Sequence, residues 1–167
     1  MTDALVQAAL DPAIRSIEYL PTVPTVPSTC DVDVIVIERD DGRYHLDIVE
    51  ARPSRSIAQR LMVAQALVDL GFRALVRTES DVLREPRCTN ARTVFEHANR
   101  AVDVGLRLQI LGALTDEGAM TLGDLLKRLR SDRDPTTAVL ALACADLVEL
   151  DLISAALGPR TMTRLRE

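Results

Sequence analysis

The stretch Val32-Asp33-Val34-Ile35-Val36-Ile37-Glu38-Arg39-Asp40-Asp41-Gly42-Arg43-Tyr44-His45-Leu46-Asp47-Ile48-Val49-Glu50-Ala51-Arg52 decides the reading of this chain. Its arms are rich in β-branched residues, and Asp41-Gly42 between them is a strong two-residue hairpin signal. With Asp41 and Gly42 as the loop, Asp40 pairs with Arg43, Asp33 faces Glu50, and Asp31 faces Arg52. Side chains two apart on a strand share a face. Asp31, Asp33, Glu50 and Arg52 are therefore expected on one side of the hairpin, beside Ile35, Ile37, Leu46 and Ile48. Two opposed carboxylates next to an apolar surface repel unless a cation lies between them, and oxygen ligands suit Mg²⁺. The same register admits a plainer reading: a cross-strand Asp31–Arg52 ion pair, with Asp33 and Glu50 at a solvated sheet end.

Upstream, residues 2–20 read as helical, with Leu5, Ala8, Ala9, Ile14 and Ile17 as apolar positions and a break or restart at Asp11-Pro12. Pro21, Pro24 and Pro27 then exclude a helix and a central strand, so residues 21–27 read as an extended, rigid connector. Downstream, Ser54 or Ser56 is expected to cap a helix that buries Ile57, Leu61, Ala64, Leu67 and Val68 and stops at Gly71. The strand Phe72–Thr78 follows this crossover helix and is expected to run parallel to Tyr44–Ala51. Ser80 opens a short helix ending at Pro86, and Asn90 opens another through His97. The pattern predicts an α/β layer with a small mixed sheet.

Around residues 98–104 the pattern changes. Val104 to Gly118 reads as a helix, Thr121 caps a second over Leu122–Arg130, and Asp134-Pro135 opens a third. Ile153–Leu157, the turn Gly158-Pro159 and Thr161–Leu165 then read as a short hairpin. Three helices and a hairpin predict a winged helix-turn-helix. The expected division is residues 1–100 for the α/β domain and 101–167 for the winged helix. The third helix carries no Arg or Lys and is apolar nearly all round, which is unlike a DNA recognition helix. It is expected to be covered by the N-terminal domain or a second chain. The basic candidates for DNA lie elsewhere, at Lys127, Arg128 and Arg130 and at Arg160, Arg164 and Arg166.

Hydrophobic residues make up 47% of the 167 residues but aromatics only 2%, so the cores must be aliphatic. The net charge of −5 argues against strong sequence-independent DNA binding, which depends on neutralising phosphates. Cys30, Cys88 and Cys144 are scattered, without Cys-x-x-Cys spacing, and read as reduced thiols. No stretch reads as a membrane span or a signal peptide, and a cytoplasmic location is expected. Glycine-rich phosphate loops, zinc spacings and Ser-His-Asp arrangements are not evident.

Taken together, the chain resembles the TnsA-type transposon endonucleases over roughly residues 15–165. The resemblance is carried by Val32–Val36, Asp41-Gly42-Arg43, Val49-Glu50-Ala51-Arg52-Pro53, and above all Arg77–Arg87 continuing through Asn90-Ala91-Arg92. It implies a restriction-endonuclease-like α/β domain, a mixed sheet flanked by helices, followed by a winged helix-turn-helix. It also implies Mg²⁺-dependent DNA strand cleavage beside a partner transposase subunit. Asp33 and Glu50 would then be the acidic metal ligands, joined by Glu18 from a helix. Arg52 stands where the family has a lysine that positions the attacking water. Arginine keeps its proton at any working pH and is bulkier than lysine, so weak or absent cleavage is expected. The alternatives are a catalytically inactive module that binds DNA or a transposase, and a regulator that dimerises through the winged helix.

Overall fold

The computed structural model describes residues 1–24, 29–132 and 134–166; Thr25–Pro27 of the expected connector lie outside them. The chain divides into two compact units, one formed by Ala13–Val82 with Met1, the other by Thr2–Pro12 with Leu83–Glu167. The boundary expected at residue 100 thus falls near residue 82. The first helix belongs with the second unit, because Val6 enters that unit's core and Asp3 forks onto Arg92.

The first unit is α/β, with a mixed four-stranded sheet in the order β1 (Ile14–Pro24), β2 (Thr29–Arg39), β3 (Gly42–Ile48) and β4 (Arg73–Arg77). Residues 14–20 are therefore strand, not helix. Ile14, Ile17 and Leu20 have helical spacing, but antiparallel pairing along β2 overrides it. Pro21 sits at a register shift between Leu20 and Thr22 on this edge strand, where a missing N–H costs no central ladder bond.

The hairpin closes one step earlier than the Asp-Gly signal suggests. Arg39 pairs with Gly42, leaving Asp40 and Asp41 as the loop. Neither aspartate has positive φ, and Gly42 supplies it at 137°. Ile35 then pairs with Leu46 and Ile37 with Tyr44, which preserves the expected apolar face but moves every partner by two residues. Arg39 and Arg73 flank the Tyr44 ring at 5.6 and 4.3 Å, and the Tyr44 hydroxyl donates to Asp41 at 2.7 Å.

α2 (Ile57–Asp69) starts with a capping box between Ser56 and Gln59 and ends before Gly71, whose φ is 73°. It buries Val63, Ala66 and Leu67 against Val23 of β1, Val32 and Val36 of β2, and Phe72. Of the stripe expected in the core, Leu67 is buried, but Ala64 is exposed, Ile57 is 70% exposed, Leu61 67% and Val68 66%. β4 runs parallel to β3 as expected, His45 lying beside Ala74. α3 (Glu79–Val82) is opened by Thr78 rather than Ser80, through reciprocal bonds between Thr78 and Asp81.

The second unit contains α1 (Thr2–Ala9), α4 (Arg87–Phe95), α5 (Val104–Glu117), β5 (Met120–Thr121), α6 (Leu122–Arg128), α7 (Thr136–Cys144), β6 (Val148–Leu150) and β7 (Met162–Leu165). Asp103 caps α5 and Thr121 caps α6. The three short strands form an antiparallel sheet in the order β5-β7-β6. β6 precedes the expected strand at 153–157, which is instead loop. In α7, Ala138 to Ala143 are all buried, covered by Val6 of α1 and by Ala91 and Val94 of α4 within the same unit. The Cys144 thiol donates to the Val94 carbonyl at 3.3 Å, and burial pushes its pKa up to about 11, as befits a packed thiol.

Asn90 does not open a helix; it lies inside α4 and is 2% exposed. Its amide donates to the carbonyls of Leu152 at 2.9 Å and Ala155 at 2.8 Å, while its oxygen accepts the Leu157 N–H at 2.8 Å. Three residues before it Arg87 binds Asp11 at 3.1 Å, and two residues after it Arg92 forks onto Asp3. The most distinctive stretch of the resemblance is thus a clamp joining α1, α4 and the loop between β6 and β7.

Candidate functional site

Asp33 lies where β2 is irregular: its φ is 49°, and the β1–β2 register shifts between Leu20 and Thr22 opposite it. This extra residue turns its carboxylate toward Tyr19, whose hydroxyl donates to Oδ1 at 2.7 Å. That bond raises the Tyr19 pKa, since the phenol must lose its acceptor to ionise. Glu18 precedes Tyr19 on β1 and is in register with Val36, so it lies on the α2 side of the sheet and is turned away from Tyr19. It is strand-borne, not helix-borne, and exposed.

Glu50 is not in the sheet. β3 ends at Ile48, and Val49–Ala51 form one turn of 3₁₀ helix. The Glu50 carboxylate accepts the backbone N–H of Glu79 at 2.8 Å, a local use of the positive end of α3. The expected Asp33–Glu50 opposition is therefore replaced by two carboxylates with separate partners. Asp31 pairs across to Thr22 instead of facing Arg52.

The 3₁₀ turn folds Arg52 back toward β3. Its guanidinium forks onto Asp47, Nε to Oδ1 at 2.8 Å and Nη2 to Oδ2 at 2.6 Å. This bidentate pair holds the Asp47 carboxyl below the usual range and raises Arg52 further. Asp47 escaped the sequence reading because it alternates within an apolar strand; its only signal was an arginine five residues on. His45, on the same face of β3, has a buried Nδ1 without a hydrogen-bond partner. Burial lowers its pKa, opposed by the nearby Asp47 charge, so it favours the neutral form.

A divalent cation of the Mg²⁺ type needs oxygens converging on one point. Glu18, Asp33 and Glu50 are directed to three different places, and among the described residues no group of three or more His, Cys, Asp or Glu could hold a metal. The folded arrangement does not fit the three-carboxylate centre that the sequence suggests.

Asp33, His45, Asp47 and Arg52 do share a groove of 670 Å³ between α2 and the β3–β4 side of the sheet, with Arg55 and Arg60 also on its walls. Arg55 donates to the Val32 carbonyl at 2.7 Å.

The basic residues expected to meet DNA are largely committed within the second unit. Lys127 binds Asp124 at 2.9 Å, Arg128 forks onto Glu117, and Arg164 binds Glu149 at 2.5 Å. Arg130 and Arg160 are exposed. Arg166 binds Asp146 at 2.7 Å. No known protein family matches the chain, and no match is found among curated proteins.

Proposed function

We propose that this protein is an endonuclease-like accessory module of DNA transposition that binds a protein partner, such as a transposase subunit, and does not cut DNA itself. The observation that carries the reading is the Arg52–Asp47 fork. The residue in the place of a water-positioning lysine is a structural cation, neutralised five residues away. Glu50, bound to the Glu79 N–H, and Glu18, turned away from the Tyr19–Asp33 contact by strand alternation, support the same conclusion.

The nuclease-like ancestry is supported by the mixed sheet with its β3–α2–β4 parallel crossover and by the position of Asp33 beside the hairpin. A winged-helix reading of the second unit is supported by the order α5, β5, α6, α7, β6, β7 and the sheet order β5-β7-β6. In that reading α7 would be the recognition helix. Its buried, uncharged surface favours a packing role over base reading. The internal ion pairs of Lys127, Arg128 and Arg164 likewise favour a protein partner over phosphates.

The test is strand cleavage of supercoiled and linear DNA with Mg²⁺ or Mn²⁺, by wild type and by Arg52→Lys. Neither protein is expected to nick DNA above the metal-only control. Metal-dependent cleavage by wild type, abolished by Asp33→Ala, would restore the enzyme reading.

A further inference from the structure

We infer that the groove between α2 and the β3–β4 half of the sheet receives an amphipathic α-helix of a protein partner, with an acidic flank. The partner's apolar stripe would lie along Ile57, Leu61, Ala64 and Val68, and its carboxylates against Arg55 and Arg60. The inference rests on the protein-partner reading above and locates the contact.

Coverage of the sheet sets the shape of the occupant. Strands lie about 4.8 Å apart and a helix with its side chains is about 10 Å across, so one helix covers about two strands. α2 lies over β2 and reaches β1 near Val23, while Glu18 of β1, in register with Val36, stays exposed. Across one row of paired residues, Val36 of β2 is 3% exposed, His45 of β3 is half-buried, and Ala74 of β4 is exposed. Val76, two residues along β4, is 47% exposed. The uncovered width is that of a second helix.

The facing wall repeats the argument. Ile57, Leu61, Ala64 and Val68 fall at i, i+4, i+7 and i+11, one stripe of α2 whose Ala64 and Val68 line the groove and whose Ile57 and Leu61 continue it past the groove's edge. Three large apolar side chains, each about two-thirds exposed on a single helix, form a continuous patch rather than scattered surface residues. At 13 residues, α2 offers a track roughly 20 Å long, the span of an ordinary partner helix.

Charge selects the occupant's flank. Of the charged groups on the groove, Arg52 and Asp47 neutralise each other, and the Asp33 carboxylate accepts from the Tyr19 phenol, a neutral donor that leaves its formal charge in place. Against that one carboxylate stand Arg55, which donates to the neutral Val32 carbonyl and so keeps its charge, and Arg60, both near the N-terminal half of α2, where the helix dipole adds positive potential. A second copy of α2 supplies no answering acid: its one carboxylate, Asp69, accepts from Gln65 at 2.7 Å, and an antiparallel copy with Ile57 over Val68 places Gln65 beside Arg60. An acidic helix from another protein is complementary.

The experiment uses the full chain and two fluorescein-labelled designed helical peptides with the same leucine stripe, one flanked by Glu and one by Lys. Anisotropy gives affinity, hydrogen exchange locates the contact, and light scattering gives the oligomeric state. The Glu peptide is expected to bind at least about tenfold more tightly than the Lys peptide and to protect residues 57–68. Leu61→Asp should weaken it about tenfold, and Arg60→Glu should reverse the preference. Equal binding of both peptides, or protection confined elsewhere, overturns the inference. So does self-association of the free chain that Leu61→Asp abolishes, which makes a second copy the occupant. A chain that cuts DNA yet binds the Glu peptide at α2 removes only the non-cutting reading; one that neither cuts nor binds removes only the groove.

Discussion

Replacing Asn90 with Ala removes the side chain that fastens the loop between β6 and β7 to α4. The native amide makes three hydrogen bonds, at 2.9, 2.8 and 2.8 Å, from a position 2% exposed to solvent. At about 1 kcal/mol each, the loss is about 3 kcal/mol, and more if the carbonyls and the Leu157 N–H stay dry. With a urea m-value of about 2 kcal/mol/M, the midpoint of the second unit should fall by about 1.5 M. Urea titration followed by far-UV circular dichroism measures the shift, and hydrogen exchange at Leu157 shows whether the loop has come free. Glu96→Ala on the exposed end of the same segment is the control and should move stability by less than about 0.5 kcal/mol. An unchanged midpoint with a still-protected Leu157 amide would refute the assignment of Asn90 as the clamp.

Gly42→Ala should destabilise the first unit by about 1–3 kcal/mol, because φ of 137° is hostile to any side chain; a calorimetric melt indistinguishable from wild type would contradict this. Tyr44→Phe should cost about 1 kcal/mol through loss of the 2.7 Å bond to Asp41, since the flanking of the ring by Arg39 and Arg73 survives. The Arg52–Asp47 pair lowers the folded pKa of Asp47, so its contribution is present above about pH 4 and lost as pH falls through the folded value. The stability gap between wild type and Arg52→Gln should therefore close on acidification, and an equal gap at low and neutral pH would count against the pair. Leu61→Asp, on an exposed face, should melt within a degree or two of wild type.

Local signals in the sequence identified most elements. The Ser56 cap, the Gly71 stop and the parallel strand after the crossover helix each follow from chemistry confined to a few residues. Register did not. Asp40-Asp41-Gly42 offers two ways to close the hairpin, and a difference of two residues leaves the apolar face intact, so patterning cannot choose between them. Nothing in Val49-Glu50-Ala51 announces a 3₁₀ turn, so the alternating pattern carries Glu50 on along the strand. α2 has apolar residues on two faces; only the position of the sheet decides that Val63, Ala66 and Leu67 are inside while Ile57 and Leu61 are not. The place of α1 depends on Asp3 meeting Arg92, a pairing 89 residues apart that no window can read.

The central claim is that Asp33 and Glu50 belong to separate structural contacts and not to one metal centre. Titrating the full chain with Mn²⁺, while following the side-chain carboxyl carbons of both residues by nuclear magnetic resonance, tests it directly. Independent, weak broadening of the two signals is the predicted result. Joint loss of the Asp33 and Glu50 signals at low, saturable Mn²⁺ would contradict it.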